Sequence, residues 1–104
     1  MARPEVTRVR EHLLQGVMLP YTVYVLRSLK DGLLYIGFTT NLARRFKEHN
    51  DGKSPATAPR RPFELLYCEC HRDRADALRR ESYFKTTAGK RVLKLILRNG
   101  LSKQ

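Results

Sequence analysis

Three segments of the chain are rich in β-branched and aromatic residues, which favour strands. They cover residues 21–27, 33–38 and 63–70. A Lys-Asp-Gly sequence at residues 30–32 separates the first two segments and is typical of a hairpin turn. The pattern therefore predicts a hairpin, followed later in the chain by a third strand.

The segment between the second and third strands is predicted to begin as a helix and to end as a loop. Asn41 is a good N-cap residue, and the helix is expected over residues 42–50. Residues 51–62 contain one glycine and three prolines, which interrupt regular structure and predict a loop.

Two further helices are predicted after the third strand. The first is expected to start at Asp73 or Asp76 and to run to about residue 86. The Ala-Gly pair at residues 88 and 89 is expected to break the helical pattern. A last helix is predicted over residues 90–98, ending at an Asn-Gly pair.

The predicted order of elements is β-β-α-β-α-α. This order indicates an α/β fold of the α+β class, in which helices flank a small three-stranded antiparallel sheet. The pattern alone leaves the direction of the third strand open.

A chain of 104 residues has room for one small domain. Residues 1–17 lack a strand pattern and show weak helical periodicity. We interpret them as an N-terminal appendage, either flexible or helical. Residues 18–104 are predicted to form the single folded domain.

The chain carries 21 Lys and Arg residues against 10 Asp and Glu residues, which gives a net charge of +11. Such an excess favours a polyanionic partner, DNA or RNA above all. No apolar run reaches the roughly 18 residues that span a bilayer, and no signal-peptide pattern is present. We therefore expect a cytoplasmic protein that binds nucleic acid and does not associate with a membrane.

The two cysteines, Cys68 and Cys70, lie two residues apart in the third predicted strand. Their side chains are expected on the same face, where they are unlikely to form a disulfide. Reduced structural thiols are the favoured interpretation. The alternative is a metal site that includes His71, but the chain has no second ligand pair of matching spacing.

The helix predicted over residues 42–50 carries Leu42, Arg45, Phe46 and His49 on one face. The two apolar side chains are expected to contact the sheet, so Arg45 and His49 should lie beside the core. Each of these two is open to an ordinary structural interpretation, a partly solvated arginine and a hydrogen-bonded edge histidine. Together they are candidates for binding a phosphate ester.

Glu81 is predicted in the middle of the apolar stripe of the following helix. A carboxylate in that position is costly unless it is paired with a cation. The sequence leaves two explanations open, an ion pair with Lys85 four residues later and a metal ligand at the edge of a cleft.

Tyr24 and Tyr35 occupy the central parts of the two hairpin strands and can share a face of the sheet. Core packing is one explanation for each of them. Nearby positive charges are expected to favour the phenolate and so to lower the pKa of such a phenol. Either tyrosine is therefore a candidate general base.

The residues singled out above resemble the GIY-YIG nuclease superfamily, and in particular small bacterial members that consist of little besides this domain. The second motif is intact as Tyr35-Ile36-Gly37. The first appears as Thr22-Val23-Tyr24, with Thr in place of the usual Gly and Val in place of the usual Ile. The resemblance covers about residues 21–85. The other matching positions are Thr40, Asn41, Leu42, Arg44, Arg45, His49, Asn50 and the segment Ala77-Leu78-Arg79-Arg80-Glu81.

The resemblance implies metal-dependent cleavage of phosphodiester bonds. It gives Arg45 the role of contacting the scissile phosphate and gives Glu81 that of binding a divalent ion, Mg²⁺ or Mn²⁺. Tyr24 or Tyr35, aided by His49 or by the metal, would prepare the attacking water.

Further basic residues are candidates for sequence-independent contacts with the nucleic-acid backbone. The selected candidates are Lys53, Arg60, Arg61, Arg79 and Lys85. We expect a structure-selective endonuclease that acts on DNA, or on RNA, in repair, recombination or turnover, with a targeting protein partner as one further expectation. The alternatives are a nucleic-acid-binding module with little or no activity and an RNA-associated or ribosome-associated basic protein.

Overall fold

The computed structural model describes residues 19–102 and contains one three-stranded antiparallel sheet. The strands are β1 (Tyr21–Ser28), β2 (Leu34–Thr39) and β3 (Phe63–His71), and their spatial order is β2-β1-β3. Both neighbours of β1 run antiparallel to it. The predicted α+β architecture is therefore confirmed, and the direction of the third strand, which the sequence left open, is antiparallel.

Four helices and one short 3₁₀ turn complete the described part of the chain. They are α1 (Leu42–Asn50), the 3₁₀ turn (Ala58–Arg60), α2 (Arg74–Phe84), α3 (Thr87–Ile96) and α4 (Arg98–Leu101). The bounds of α1 agree with the sequence prediction. Asn41 caps this helix as expected, because its side chain accepts a hydrogen bond from the Arg44 amide at 3.1 Å.

The two faces of the sheet contribute to two separate clusters of buried side chains. On one face, Val23, Val25 and Ile36 pack against residues of α2 and α3, including Ala77 and Phe84. On the other face, the second cluster consists of Tyr24, Leu26 and Phe63, with Tyr35, Leu42 and Phe46 packed against it. Because β-strand side chains alternate between faces, one central strand supplies both clusters.

Asn50, the last residue of α1, links the end of this helix to the start of β3 through its side chain. Its side-chain amide donates to the Phe63 carbonyl at 3.2 Å and accepts from the Phe63 amide at 2.7 Å. This pair of hydrogen bonds fixes the end of α1 against the sheet, and so helps to hold the side chains of this helix in place.

The prediction that residues 88 and 89 break the helical pattern is wrong. The break lies at Lys85 and Thr86, and Gly89 lies in the first turn of α3, where its amide donates to the Thr86 hydroxyl at 3.0 Å. A side chain at Gly89 would place its Cβ 1.8 Å from the Tyr83 carbonyl oxygen. The glycine therefore permits close packing of α3 on the end of α2, and Thr86 supplies the cap.

The end of the last helix also differs from the prediction. The expected helix over residues 90–98 begins earlier and ends at Ile96. Asn99 and Gly100 do not end it as predicted, because they belong to the separate short helix α4.

Cys68 and Cys70 are free and exposed, in agreement with the expectation of unbonded thiols. The proposed metal site with His71 is not supported, because no group of three or more metal-ligating side chains occurs within residues 19–102. No helix in the same range is long and apolar enough to cross a membrane. The predicted N-terminal appendage lies outside the described residues.

Gly89→Ala is expected to lower the free energy of unfolding by about 3 kcal/mol, the upper end of the usual cost of overpacking, because the new Cβ meets backbone rather than a movable side chain. The matched control is Gly100→Ala in α4, whose Cβ would meet no atom within 4 Å. The control should change stability by less than about 1 kcal/mol. Urea unfolding followed by circular dichroism measures both variants, and equal midpoints would contradict the packing role of Gly89.

Candidate functional site

Tyr24 and Tyr35 lie on the same face of the sheet, as the sequence predicted. Tyr24 is paired across the hairpin with Gly37, and Tyr35 lies two residues before Gly37 on β2. The two rings are therefore diagonal neighbours, with centroids 6.4 Å apart. Tyr24 is almost completely buried, whereas Tyr35 is half-buried.

Gly37 is needed because the ring of Tyr24 lies across its backbone. A Cβ at this position would be 2.3 Å from both the Oη and the Cζ atoms of Tyr24. Any larger residue would therefore displace the Tyr24 phenol. The last residue of the Tyr-Ile-Gly motif thus has a direct role in positioning the tyrosine on the neighbouring strand.

His49 is completely buried and connects α1 to the central strand. Its Nε2 atom lies 2.8 Å from the Tyr24 Oη atom, and its Nδ1 atom lies 2.7 Å from the Thr57 Oγ1 atom. The edge of its ring also contacts Tyr35, with centroids 5.1 Å apart. The sequence placed His49 beside the core, and the structure places it inside a continuous hydrogen-bonded chain of three side chains.

Burial raises the pKa of Tyr24 to about 12, although Arg45 acts in the opposite direction. The neighbouring cation favours the Tyr24 phenolate as expected, but the predicted fall in the pKa of Tyr24 is wrong. Removal of the phenol from water penalises the charged form by more than the guanidinium favours it. Burial and the positive charge of Arg45 together lower the pKa of His49. At neutral pH the site accordingly contains a neutral phenol and a neutral imidazole.

Arg45 lies at the edge of this buried chain, with its side chain 32% exposed. Its guanidinium donates to the Glu48 carboxylate at 3.1 Å and to the Ser54 hydroxyl at 3.5 Å. The preceding residue, Arg44, has a side chain that is 68% exposed. The two adjacent arginines therefore differ as predicted, since only Arg45 lies close enough to influence Tyr24.

The carboxylate of Glu81 approaches the same site from α2. Its negative charge contributes to the raised pKa of Tyr24. Its side chain is only 19% exposed, and the Lys85 ammonium donates to it at 3.2 Å. The ion pair that the sequence offered as one explanation is therefore present.

Glu81 also fits the second explanation, that of a ligand to a hard divalent cation. Magnesium characteristically takes one or two protein carboxylates and completes its coordination with water and substrate phosphate oxygens. The single Glu81 carboxylate, which is only 19% exposed, is of the type that meets that requirement.

The five basic residues that the sequence selected for contact with the nucleic-acid backbone differ in their surroundings and do not form a single patch. Arg60 bonds to Asp31 at 2.8 Å and lies over the Phe63 ring, and Arg61 donates to the Ala58 carbonyl at 2.8 Å. Arg79 pairs with Asp76 in the adjacent turn of α2, and Lys85 pairs with Glu81. Lys53 is exposed in the loop after α1.

Sequence reasoning did not identify Thr57 as a site residue. Thr57 is completely buried and follows His49 by eight residues, in the loop between α1 and β3. A threonine in a proline-containing loop resembles many solvent-facing turn residues. Only the fold of this loop over the end of α1 reveals its contact with His49.

Comparison with known proteins agrees with this arrangement of residues. The family model described as the GIY-YIG catalytic domain matches residues 20–94. That range contains β1, β2, α1, β3, α2 and most of α3.

Several curated bacterial proteins are similar to this chain. A UPF0213 protein of Bacillus licheniformis is 46% identical over 68 residues, which cover 64% of this chain and 69% of that protein. A UPF0213 protein of Staphylococcus haemolyticus is 40% identical over 80 residues, covering 76% of this chain and 96% of that protein. A UPF0213 protein of Desulfotalea psychrophila is 43% identical over 76 residues, which cover 71% of this chain and 68% of that protein.

No solved structure matches the chain. The family model nevertheless extends over well more than half of its length and includes each of the motifs described above. This chain belongs to the GIY-YIG family.

Proposed function

We propose that this protein is a metal-dependent endonuclease that hydrolyses phosphodiester bonds in DNA. The observation that carries the proposal is a buried tyrosine that is hydrogen-bonded to a histidine and lies within the electrostatic influence of an arginine and a glutamate. His49 bonds to Tyr24, and both Arg45 and Glu81 lie close enough to influence its pKa. Membership of a nuclease family supports the same reaction.

The three groups have complementary tasks in phosphodiester hydrolysis. Negative charge gathers on the phosphate oxygens in the transition state, and the Arg45 guanidinium stabilises it with directed N–H donors. Glu81 would hold Mg²⁺ or Mn²⁺, which when bound polarises the phosphate and stabilises the leaving oxygen. Tyr24 and His49 accept the proton of the attacking water.

A preference for DNA structure over DNA sequence is part of the proposal. The net charge of +11 favours binding to phosphates, which carry no sequence information. Four of the five basic residues selected from the sequence, Arg60, Arg61, Arg79 and Lys85, are bonded within the protein, so their donors are not free to read base edges. Such selectivity suits repair, recombination or turnover of DNA.

One observation favours a second candidate, a nucleic-acid-binding module without catalysis. The Lys85 ammonium already neutralises Glu81, so a metal is not needed to explain the position of this carboxylate. A binding module would shift labelled DNA with equal affinity in the presence and absence of Mg²⁺ and would leave it uncut.

Cleavage of labelled linear, branched and single-stranded DNA and RNA is expected to require Mg²⁺ or Mn²⁺. Glu81→Gln should lower the rate about 100-fold or more, the usual cost of losing one electrostatic stabiliser of a transition state. The matched control is Asp76→Asn on the same helix, whose carboxylate is 54% exposed and paired only with Arg79. The proposal fails if the parent cuts equally well in EDTA or if Glu81→Gln is as active as Asp76→Asn.

Arg45→Ala is expected to lower kcat by about two powers of ten, because a directed donor to the reacting phosphate is lost. Arg44→Ala removes the same charge from the exposed neighbouring position and should change kcat less than about threefold. Single-turnover cleavage measures the rate constant of bond cleavage, the part of kcat to which Arg45 contributes, without product release. Equal losses of kcat in the two variants would show that Arg45 contributes only its positive charge and no directed hydrogen bond.

The rate is expected to be independent of pH near neutrality and to fall at acidic pH as His49 gains a proton. Because burial and Arg45 lower the pKa of His49, the midpoint should lie below the ordinary value of 6.5. Above that midpoint the imidazole is neutral and can accept a proton. Single-turnover rates between pH 4.5 and 8 test this, and His49→Gln should lose the acidic fall. A midpoint above 6.5 would contradict the assignment.

A further inference from the structure

We infer that Thr57 is a positioning residue that fixes the orientation of the His49 proton, so that Tyr24 and not Tyr35 accepts the proton of the attacking water. The inference rests on the proposed function and assigns a role to a residue that the motifs do not include. It concerns the buried chain Tyr24–His49–Thr57, in which every hydrogen-bonding atom of the imidazole has one partner.

The chain is buried at its His49 and Thr57 end, and only its Tyr24 end keeps any exposure. Tyr24 is 1% exposed, and both His49 and Thr57 are 0% exposed. No side-chain nitrogen or oxygen that is buried within the described residues lacks a hydrogen-bond partner. Protons in this chain must therefore be distributed among these atoms themselves.

The surroundings of Thr57 favour one direction for each hydrogen bond. Its hydroxyl carries a single hydrogen and lies 3.5 Å from the Ser54 carbonyl oxygen, which can only accept. When the hydroxyl donates to Ser54, it offers a lone pair to His49 Nδ1, which must then carry the hydrogen. Nε2 is left as the acceptor, so the Tyr24 hydroxyl donates to it. The opposite tautomer would point an N–H at Tyr24 and prevent transfer from the phenol.

This orientation allows a proton to move in one direction through the site. As the water oxygen forms its bond to phosphorus, a water proton passes to Tyr24 Oη, and the Tyr24 hydroxyl proton passes to His49 Nε2. The bond between phosphorus and the leaving oxygen breaks, and that oxygen retains the electron pair and takes a proton from solvent. His49 becomes an imidazolium whose Nδ1–H remains bonded to Thr57. No free phenolate is formed, which suits a phenol as deeply buried as Tyr24.

Tyr35 lacks this arrangement. It touches the His49 ring edge-on, with centroids 5.1 Å apart, and within the described residues no hydrogen bond joins its hydroxyl to the imidazole. The sequence left the choice between the two tyrosines open. The hydrogen-bonded path through His49 to Thr57 starts at Tyr24.

The charged and titratable groups that face His49 come from α1 and from the first two strands. Arg45 and Glu48 act on it from its own helix, and Tyr24 and Tyr35 face it from β1 and β2. From β3 it meets Phe63, which carries no charge. The partner of Nδ1 is thus an uncharged hydroxyl, which orients the imidazole without adding a full negative charge.

The first test is the tautomer of His49 in the free protein, measured by long-range ¹H–¹⁵N NMR of the imidazole ring above its pKa. The parent is expected to carry its hydrogen on Nδ1. Thr57→Ser retains the hydroxyl and should retain this tautomer, whereas Thr57→Val should produce a mixture or the Nε2–H form. A parent ring protonated on Nε2 would overturn the inference, and this measurement needs neither a variant nor any nuclease activity.

The second test is single-turnover cleavage by the same variants. Thr57→Val is expected to lower kcat by about 10–100-fold, as for other residues that orient a reacting histidine or ligand, with DNA affinity unchanged. Its acidic midpoint should move to lower pH, since the imidazolium loses an acceptor, and Thr57→Ser should restore rate and midpoint. The inference would be overturned by an equal loss of rate in Thr57→Val and Thr57→Ser. It would also be overturned if Thr57→Val left both the rate and the acidic midpoint unchanged. A parent that cuts nothing would instead reject the proposed function, and the NMR result would still decide the role of Thr57.

Discussion

The hydrogen bond between Tyr24 and His49 is the constraint on which the candidate site depends. It joins the central strand to α1 at 2.8 Å, inside a region from which water is excluded. A buried polar pair is tolerated only when its remaining hydrogen-bonding atoms are also satisfied. Thr57 meets that requirement for the imidazole, and Gly37 leaves the space that the phenol occupies.

The two faces of the sheet differ in polarity, and Glu81 is the candidate site residue that comes from a helix of the apolar face. The face covered by α2 and α3 is apolar, with Val23, Val25 and Phe84 at or below 1% exposure. The face covered by α1 contains the polar chain, and its apolar residues surround rather than replace that chain. A rigid central strand belongs to both faces, so the packing of the apolar cluster also holds Tyr24 in position.

Local patterns in the sequence were sufficient for most of the fold. The β-branched and aromatic content of the strands, the Asn41 cap and the spacing of Leu42 and Phe46 each depend on residues close together in the chain, and the structure confirms them. The Tyr24–Tyr35 contact was also predictable, because a hairpin fixes which residues are opposed.

Three features that sequence reasoning missed depend on how separate elements pack together. Gly89 looks like a helix breaker until the backbone of α2 is seen against it, where it is the residue that allows α3 to start. The pKa of Tyr24 was predicted to fall because the neighbouring charges were visible in the sequence, whereas the depth of burial was not. The contact between Thr57 and His49 cannot be predicted from the sequence, because it depends on how the loop between α1 and β3 folds.

The ion pair of Glu81 differs from those of Glu69 and Glu64 in how easily its cation can leave. Arg80 is held to Glu69 at 2.9 Å and also stacks over the Phe84 ring, and Arg27 bonds to Glu64 through two nitrogens. Within residues 19–102 Lys85 has no such second attachment, and its side chain is 55% exposed, so water readily replaces the carboxylate around its ammonium. Glu81 itself is only 19% exposed and cannot be solvated as well. A divalent cation with its own water shell gains more from such a carboxylate than a mobile lysine does. In the proposed nuclease, Lys85 would neutralise Glu81 until a divalent cation binds.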